Sequence, residues 1–234
     1  IQDPIFTNQA NIDGFLNVIF SAKEANVKMF VYAASSSTYG DSLELPKVEE
    51  RIGRPISPYA VTKLVNEIYA DVFNSVYGFN SIGLRYFNIF GKRQDPNGAY
   101  AAVIPQWINL IKNNQSIFIN GDGNNSRDFC FVDNVVQINI LSAMTTNKES
   151  INQIYNVAVN DRTNLNELYS LISLELTKRL PNISIKSPIF REFRIGDVMH
   201  SLADISKAKK MLNYDPKYHI RDGMKKTIEW YIKK

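Results

Sequence analysis

Cysteine is almost absent from this chain of 234 residues, since Cys130 is the only one. A single thiol excludes an internal disulfide and favours a reducing, cytoplasmic environment. Histidine is nearly as scarce, with two residues, and no group of Cys, His, Asp and Glu has the spacing of a metal site. We therefore expect a cytoplasmic protein without a bound metal.

Long apolar runs and a concentrated charge are also lacking. No stretch approaches the roughly 18 apolar residues of a membrane span, and the start, IQDPIFTNQ, does not have the pattern of a signal peptide. The net charge is only +4, and the Lys and Arg residues are scattered instead of forming a stripe with interleaved aromatic side chains. The sequence thus predicts neither a membrane nor a nucleic acid as a partner.

The chain does contain an alternation of helix and strand patterns. Apolar residues recur at helical spacing over residues 5–25, and the buried strand pattern VKMFVYAAS follows. A second helix is predicted over residues 58–77, with Ser57 as its N-cap and Gly78 as its stop, and another strand pattern comes next. This order is typical of an α/β fold with a Rossmann-like, doubly wound parallel sheet.

After residue 91 the predicted elements become shorter and mixed. We expect residues 1–91 to belong to the sheet domain and 92–234 to form mainly a smaller mixed α/β lobe, with 132–160 returning to the sheet. The Gly-rich turn that holds a pyrophosphate in such folds is missing, because the nearest candidate, GDGNNS, has the wrong spacing. We therefore expect the N-terminal portion of the sheet domain to be absent from these residues and the 234-residue chain alone to be inactive.

The stretch SPYAVTK places Tyr59 and Lys63 four residues apart, on one face of the predicted helix. A chain of this composition contains about one such pair by chance, so the spacing alone does not identify a site. An ammonium at this distance stabilises the phenolate form of a tyrosine, and a phenolate can act as a general base. The alternative is a packed tyrosine beside a solvated lysine.

Polar residues at two strand ends favour the site. AASSSTYG ends the first strand with Ser35, Ser36 and Ser37, and RYFNIFG ends the next with Asn88. Ligands bind at the carboxyl ends of parallel strands, and three hydroxyls there can hydrogen-bond a substrate oxygen. A serine-rich turn is the alternative for the first group.

Several stretches together resemble the extended short-chain dehydrogenase/reductases, and most closely the UDP-sugar 4-epimerases that act on UDP-N-acetylglucosamine or its uronic acid. They are AASSSTYG, SPYAVTK, RYFNIFG, GDGNNSRDFCFVDN and RIGDVMHSLADISKAKKMLNYDP. The resemblance implies that Tyr59 is the general base, that Ser35 hydrogen-bonds the sugar 4-hydroxyl and that Lys63 holds the nicotinamide ribose of NAD. Hydride would pass from carbon 4 to NAD and return to the other face of the sugar, while Ser36 and Ser37 line the sugar pocket.

The resemblance implies further ligand contacts. Those with NAD are Ala33, Tyr86, Phe87 and Asn11, besides Tyr59 and Lys63. Those with the UDP-sugar are Ser35, Ser36, Ser37, Asn88, Val103, Ile104, Ile117, Ile119, Arg127, Arg194, Asp197 and Ser201. Arg127 and Arg194 would bind the diphosphate, because a guanidinium pairs bidentately with phosphate oxygens; surface ion pairs with Asp128 or Asp197 are the alternative. Asp197 would hold the uridine ribose or orient Arg194, and a plain helix-surface position is the alternative for Asn11.

Ser201 bears on the substrate. A bulky aromatic residue is common at this position in epimerases restricted to glucose and galactose, so a serine predicts room for an N-acetyl group. The resemblance also implies a homodimer formed through the helices at 5–25 and 58–77. A nucleotide-sugar 4,6-dehydratase of the same fold is the nearest rival, but it carries an Asp-Glu pair where this chain has Ser36 and Ser37. A non-catalytic nucleotide-binding or dimerising remnant is the third reading.

Overall fold

In a computed structural model, which describes residues 3–98, 101–193 and 198–233, the chain divides into two compact units. Unit 1 consists of Ile1–Phe87, Val136–Ala158 and Ala203–Asp215, and unit 2 of Asn88–Val135, Val159–Leu202 and Pro216–Lys234. Each unit is therefore assembled from three separate segments of the chain.

The helices and strands are short apart from one long helix. The helices are α1 (Pro4–Asn8), α2 (Gly14–Glu24), α3 (Pro58–Tyr77), α4 (Val103–Lys112), α5 (Val132–Met144), α6 (Leu165–Arg179), α7 (Ser206–Leu212) and α8 (Ile220–Lys233). The strands are β1 (Phe30–Ser35), β2 (Ser81–Tyr86), β3 (Asn88–Phe90), β4 (Phe118–Asn120), β5 (Ser126–Arg127), β6 (Phe129–Phe131), β7 (Gln153–Val157), β8 (Thr163–Asn164) and β9 (Ile189–Arg191). None of the helices in the described part of the chain is long and apolar enough to cross a membrane.

Unit 1 is built on a parallel sheet with the spatial order β1, β2, β7. The middle strand, β2, is buried from Ser81 to Arg85, as expected for a parallel strand covered on both faces. Gly83 lets Tyr32 of β1 lie over this strand, because a Cβ there would come within 2.6 Å of the tyrosine hydroxyl. The α/β fold with a Rossmann-like parallel sheet is thus confirmed.

Helix α3 begins and ends where local chemistry predicts. The Ser57 Oγ accepts a hydrogen bond from the Ala60 amide at 3.1 Å, and Pro58 occupies the first helical position. Gly78 ends the helix in the left-handed region, with φ of +64°, which glycine adopts without strain. The predicted helix over 58–77 is therefore confirmed at both ends.

The N-terminal helical segment is not a single regular helix. A π-helical turn at Gln9–Asp13 separates α1 from α2, so the predicted helix over 5–25 has one wide turn within it. Such turns carry an i to i+5 hydrogen bond and shift the side chains that follow. Hydrophobic periodicity predicted the helical segment but could not reveal this local change of pitch.

Unit 2 has its own apolar core, on which α4, α6 and α8 pack. Within the described ranges its strands form three small pairs: β3 with β6 and β4 with β9 are parallel, and β5 with β8 is antiparallel. Fully buried members of the core include Phe90, Ile104, Ile108, Ile117, Ile119, Phe131, Leu168, Ile172 and Ile228. The predicted mixed α/β character of this part of the chain is confirmed.

Three local features could not be read from the sequence pattern. Helix α5 begins at Val132, so Asp133 lies in its first turn. The apolar stretch ISIKSPIF contains only the start of the short strand β9. Strand β3 has three residues, which are stabilised by pairing with β6 some forty residues later.

Candidate active site

The serine-rich stretch forms a tight turn at the end of β1. Ser35 is the last residue of the strand and is 8% exposed, and a 3-10 turn at Ser36–Tyr39 follows. The Ser35 Oγ accepts hydrogen bonds from the Ser37 amide at 3.1 Å and from the Ser37 hydroxyl at 2.9 Å. A hydroxyl has two lone pairs and one proton, so these contacts leave the Ser35 O–H as a donor. Ser35 can thus present a proton to a hydroxyl or carbonyl oxygen.

The Tyr59–Lys63 pair lies in the first two turns of α3, and it is attached to the same strand. The Lys63 Nζ donates to the Ala33 carbonyl of β1 at 2.9 Å and lies 5.8 Å from the centroid of the Tyr59 ring. Ala33 precedes Ser35 by two residues, so this bond holds the start of α3 beside the serine turn. Tyr59 is 42% exposed, so part of its side chain is accessible to a ligand.

Lys63 occupies a partly desolvated position. Burial lowers the pKa of its ammonium, and no carboxylate among the described residues offsets that effect. An ammonium has three N–H donors, of which the Ala33 carbonyl uses one. The remaining donors suit the hydroxyl groups of a ribose.

Tyr39, the last residue of the serine turn, must be distinguished from Tyr59, which lies in α3. Tyr39 is buried, its hydroxyl donates to the Asn156 Oδ1 at 2.6 Å, and burial raises its pKa to about 12. It is therefore a neutral hydrogen-bond donor within unit 1. This leaves Tyr59 as the accessible phenol of the predicted site.

Asn11 contacts α3 from the π-helical turn. Its Nδ2 donates to the Thr62 Oγ1 at 3.0 Å, and the Thr62 hydroxyl donates to the Tyr59 carbonyl at 2.8 Å. Asn11 therefore stabilises the backbone that carries Tyr59. A direct contact of Asn11 with NAD stays a prediction.

The end of β2 lies next to the serine turn in the sheet. Tyr86 is the register partner of Ser35, and its hydroxyl donates to the Asn139 Oδ1 at 3.0 Å. Burial raises the pKa of Tyr86, so it too is a neutral donor. The Phe87 ring is buried against Tyr39, with ring centroids 6.0 Å apart, and only the backbone of Phe87 could border a ligand.

Unit 2 holds the residues assigned to the nucleotide. The Arg127 Nη1 donates to the carbonyls of Ser126 at 3.0 Å and Met199 at 3.2 Å, which fixes its guanidinium close to the 198–202 segment. The Ser201 amide donates to the Ser126 carbonyl at 3.0 Å. Asn88 donates to the Asp128 carbonyl at 3.2 Å. Arg194 and Asp197, also assigned to the substrate, lie outside the described residues.

Three of the predicted substrate contacts lie in the core of unit 2. The side chains of Ile104, Ile117 and Ile119 are 1%, 0% and 0% exposed there. Their contacts with the UDP-sugar stay a prediction, and the main chain of these residues is the part that could reach a ligand. Val103 is half-buried at the start of α4 and remains a candidate.

Two residues that the sequence analysis did not assign stand out. The His200 Nδ1 lies 2.8 Å from the Ser126 Oγ, beside Arg127. The scarcity of histidine could have drawn attention to His200. Arg85 is buried at the centre of unit 1, and the signal for it was a charged residue inside the apolar strand pattern SIGLRYF. Within the described ranges, no cluster of His, Cys, Asp and Glu could hold a metal ion.

Comparison with known proteins identifies the family. Residues 1–158 match the model of the NAD dependent epimerase/dehydratase family. The solved structure of UDP-N-acetylglucosamine 4-epimerase from Methanobrevibacter ruminantium M1, in complex with UDP-N-acetylmuramic acid, is 37% identical with a TM-score of 0.92, and the match covers 100% of this chain and 72% of that one.

Two other relatives are similar over most of their length. UDP-glucose 4-epimerase from Thermotoga maritima, solved with UDP-glucose, is 31% identical with a TM-score of 0.92, over 100% of this chain and 72% of that one. UDP-glucuronate 4-epimerase from Thermodesulfobacterium geofontis is 31% identical over 98% of this chain and 67% of its own length. The chain belongs to the NAD dependent epimerase/dehydratase family, and its cofactor is NAD.

Proposed function

We propose that the protein containing this chain is an NAD-dependent UDP-sugar 4-epimerase whose substrates are UDP-N-acetylglucosamine and UDP-N-acetylgalactosamine. The observation that carries the proposal is the bond from the Lys63 Nζ to the Ala33 carbonyl at 2.9 Å. It joins the helix that presents Tyr59 to the strand that ends in Ser35. Proton transfer to and from a sugar hydroxyl needs an acceptor and a donor that are held together in this way.

Tyr59 is proposed to take the proton from the sugar 4-hydroxyl and later to return it. Its side chain is 42% exposed, and the Lys63 ammonium lies 5.8 Å from the centroid of its ring. Ser35 would donate its remaining proton to the oxygen on carbon 4, since its lone pairs are occupied by Ser37. The two groups would thereby fix the position of that oxygen.

The residues of unit 1 fit NAD. Lys63 retains N–H donors for a ribose, and the Ala33 side chain on β1 is small and exposed. NAD, when bound, would supply the group that accepts the hydride of carbon 4 and from which the hydride returns to the opposite face of the sugar. Lys63 would orient the ribose, while its attachment to Ala33 keeps the ammonium within reach of Tyr59.

The choice of sugar rests on Ser201 and on the relatives. Ser201 is small and is fixed through its amide to the Ser126 carbonyl, and the 37% identical structure is a UDP-N-acetylglucosamine 4-epimerase. Relatives named for UDP-glucose and UDP-glucuronate are similar at 31% identity. A comparison of substrates is therefore the test that separates the three sugars.

Arg127 is proposed to bind the diphosphate. Two of its hydrogen bonds go to main-chain carbonyls of unit 2, at Ser126 and Met199, so its planar guanidinium is held in one orientation. A fixed guanidinium binds phosphate with little loss of side-chain entropy. Arg194 and Asp197 would complete this part of the site.

A second copy of the chain is proposed to cover the outer face of α2 and α3. Both helices expose apolar side chains that a lone protomer would leave in water, and an apolar patch of this kind marks a protein interface. The exposed apolar residues are Ile5, Phe6, Val18 and Phe20 on the N-terminal helices and Val61, Ile68, Val72, Val76 and Tyr77 on α3.

The proposed activity is tested in a coupled assay on the full-length protein that contains this chain, with UDP-N-acetylglucosamine, UDP-glucose and UDP-glucuronate supplied in parallel. Tyr59→Phe should lower kcat by about 100-fold or more, the contribution of a positioned acid–base group. Tyr77→Phe, which removes an exposed hydroxyl from the other end of the same helix, should leave kcat unchanged. Full activity of Tyr59→Phe would remove Tyr59 from the mechanism.

The substrate preference is tested by Ser201→Tyr, with Ser184→Tyr as the control at an exposed serine of the same unit. Ser201→Tyr should suppress turnover of the N-acetylated sugar and spare UDP-glucose. An unchanged ratio of the two activities would show that Ser201 does not set substrate size. Product carrying a 4-keto-6-deoxy sugar would instead support the dehydratase, although this chain has Ser36 and Ser37 where a dehydratase carries the carboxylate pair of its elimination step.

A further inference from the structure

Arg85 is a buried cation at the centre of unit 1, and it contacts three separate segments of that unit. Its side chain is 3% exposed, and its Nε and Nη2 donate to the two carboxylate oxygens of Glu67 at 2.9 and 2.8 Å. Its Nη1 donates to the Glu49 carbonyl at 2.9 Å. A bidentate pair of this kind fixes direction as well as distance.

The Glu67 side of this contact belongs to the helix that carries the proposed base. Tyr59, Lys63 and Glu67 follow one another at intervals of four residues and therefore lie along one face of α3. Lys63 attaches this face to β1 and Glu67 attaches it to β2. With both bonds in place, α3 cannot slide or rotate without breaking one of them.

The guanidinium also contacts the serine turn. The Arg85 Cζ lies 4.9 Å from the centroid of the Tyr39 ring, and Tyr39 is the last residue of the turn that follows Ser35. The Tyr39 hydroxyl is held by Asn156, which is the register partner of Arg85 on β7. The turn is thus attached to the same point of the sheet as the helix.

We propose that Arg85 is a positioning residue that aligns Ser35 with Tyr59 by holding the serine turn and α3 at once. The proposal rests on the proposed function, because it assumes that these two residues transfer the proton. Arginine suits this role because a planar fork can pair with a carboxylate at its edge while a ring lies against its face. Lysine has the same charge, but its ammonium has neither a planar fork to pair with a carboxylate nor a flat face to lie against a ring.

The first test is Arg85→Lys in the full-length protein, with Arg179→Lys as the control. Arg179 forms an ion pair with Glu175 in α6 of unit 2, so the control makes the same substitution at an Arg–Glu pair away from the proposed site. Arg85→Lys should lower kcat by between about tenfold and about 100-fold, the effect of misplacing reacting groups by about 1 Å. The KM for the UDP-sugar should change by less than about threefold, because ligand contacts are kept.

The second test separates positioning from stability. The double substitution Arg85→Met with Glu67→Leu removes both charges together, and such apolar replacements of a buried ion pair commonly leave a protein folded and equally stable. The folded double variant should show the same loss of kcat as Arg85→Lys. A folded double variant with the original kcat would overturn the proposal, since the pair would then serve stability alone.

If the double variant does not fold, Arg85→Lys alone tests the positioning role of Arg85. An unchanged kcat in Arg85→Lys would then overturn the proposal. Tyr59→Phe, measured in parallel, separates this inference from the function on which it rests. If Tyr59→Phe remains active, the proposed function fails. If Tyr59→Phe is inactive while Arg85→Lys keeps the original kcat, only the positioning role of Arg85 fails.

Discussion

Removal of the N-cap of α3 should affect stability and activity together. The Ser57 hydroxyl oxygen accepts a hydrogen bond from the Ala60 amide at 3.1 Å, and the Ser57 carbonyl accepts one from the Val61 amide at 3.1 Å. Ser57→Ala removes only the first bond and leaves one helix-terminal N–H without its acceptor. The cost of losing a serine cap is about 1 kcal/mol. Since Tyr59 is the second residue of the helix, the same bond stabilises the turn that carries it.

Two measurements follow from that magnitude. The melting temperature should fall by about 2–4 °C, which is the shift that 1 kcal/mol produces in a chain of this size. If the lost bond destabilises mainly the conformation that presents Tyr59, kcat should fall by up to about fivefold, because 1 kcal/mol changes an equilibrium constant by about that factor. Calorimetry and the coupled epimerase assay measure the two effects on the same preparation.

The matched control is Ser75→Ala, at the other end of the same helix. The Ser75 hydroxyl is exposed and donates to the Val72 carbonyl at 3.2 Å, so its removal should change stability by less than about 0.5 kcal/mol and should not affect kcat. Ser57→Thr keeps an acceptor at the cap and should recover most of both losses. Equal melting temperatures and equal kcat for Ser57→Ala and Ser75→Ala would refute the reasoning.

Three other predictions concern the core of unit 2, a buried carboxyl of unit 1 and the outer face of α3. Ile108→Ala should cost about 2–5 kcal/mol in denaturant titrations because the side chain is fully buried in unit 2, whereas Ile140→Ala, at an exposed position, should cost little. Burial raises the pKa of the Glu49 carboxyl above its usual 4.5, so its ionised form destabilises the folded state. Glu49→Gln should therefore increase the free energy of unfolding at neutral pH. This gain should vanish as the pH falls below 4.5, where the carboxyl is protonated in both the folded and the unfolded state. Val72→Glu should convert a dimer to monomers in sedimentation experiments, whereas Val136→Glu, at an exposed apolar residue outside α2 and α3, should not.

The parts of the fold that depend on local chemistry were predictable from sequence. The start of α3 follows from a serine cap and a proline that needs no amide partner, and its end follows from a glycine that adopts positive φ. Short strands were harder, because β3 and β9 exist only through partners far along the chain. Three residues of suitable composition do not specify such a partner.

The residues of the candidate site likewise divide into those that local sequence predicts and those that only tertiary packing reveals. The serine turn and the Tyr59–Lys63 pair were predicted because strand ends and helical spacing place side chains without knowledge of the partner. Ile104 and Ile117 were assigned to a pocket, yet they lie in the core, since an apolar residue satisfies either environment equally well. Only the packing of unit 2 distinguishes the two cases.

Arg85 is the residue that sequence reasoning had least chance of interpreting. A buried arginine must find acceptors within the protein, because an unpaired charge in the interior costs several kcal/mol. Its acceptors are Glu67, eighteen residues earlier, and the Glu49 carbonyl, thirty-six residues earlier. Neither separation matches a helical or strand period, so the pattern along the chain does not indicate the pairing.

The requirement for a partner was nevertheless predictable from the charge alone. A lone charged residue inside an apolar strand pattern therefore indicates that some polar segment of the fold must be held against that strand, and here the segments held are the helix with the proposed base and the turn with the proposed donor.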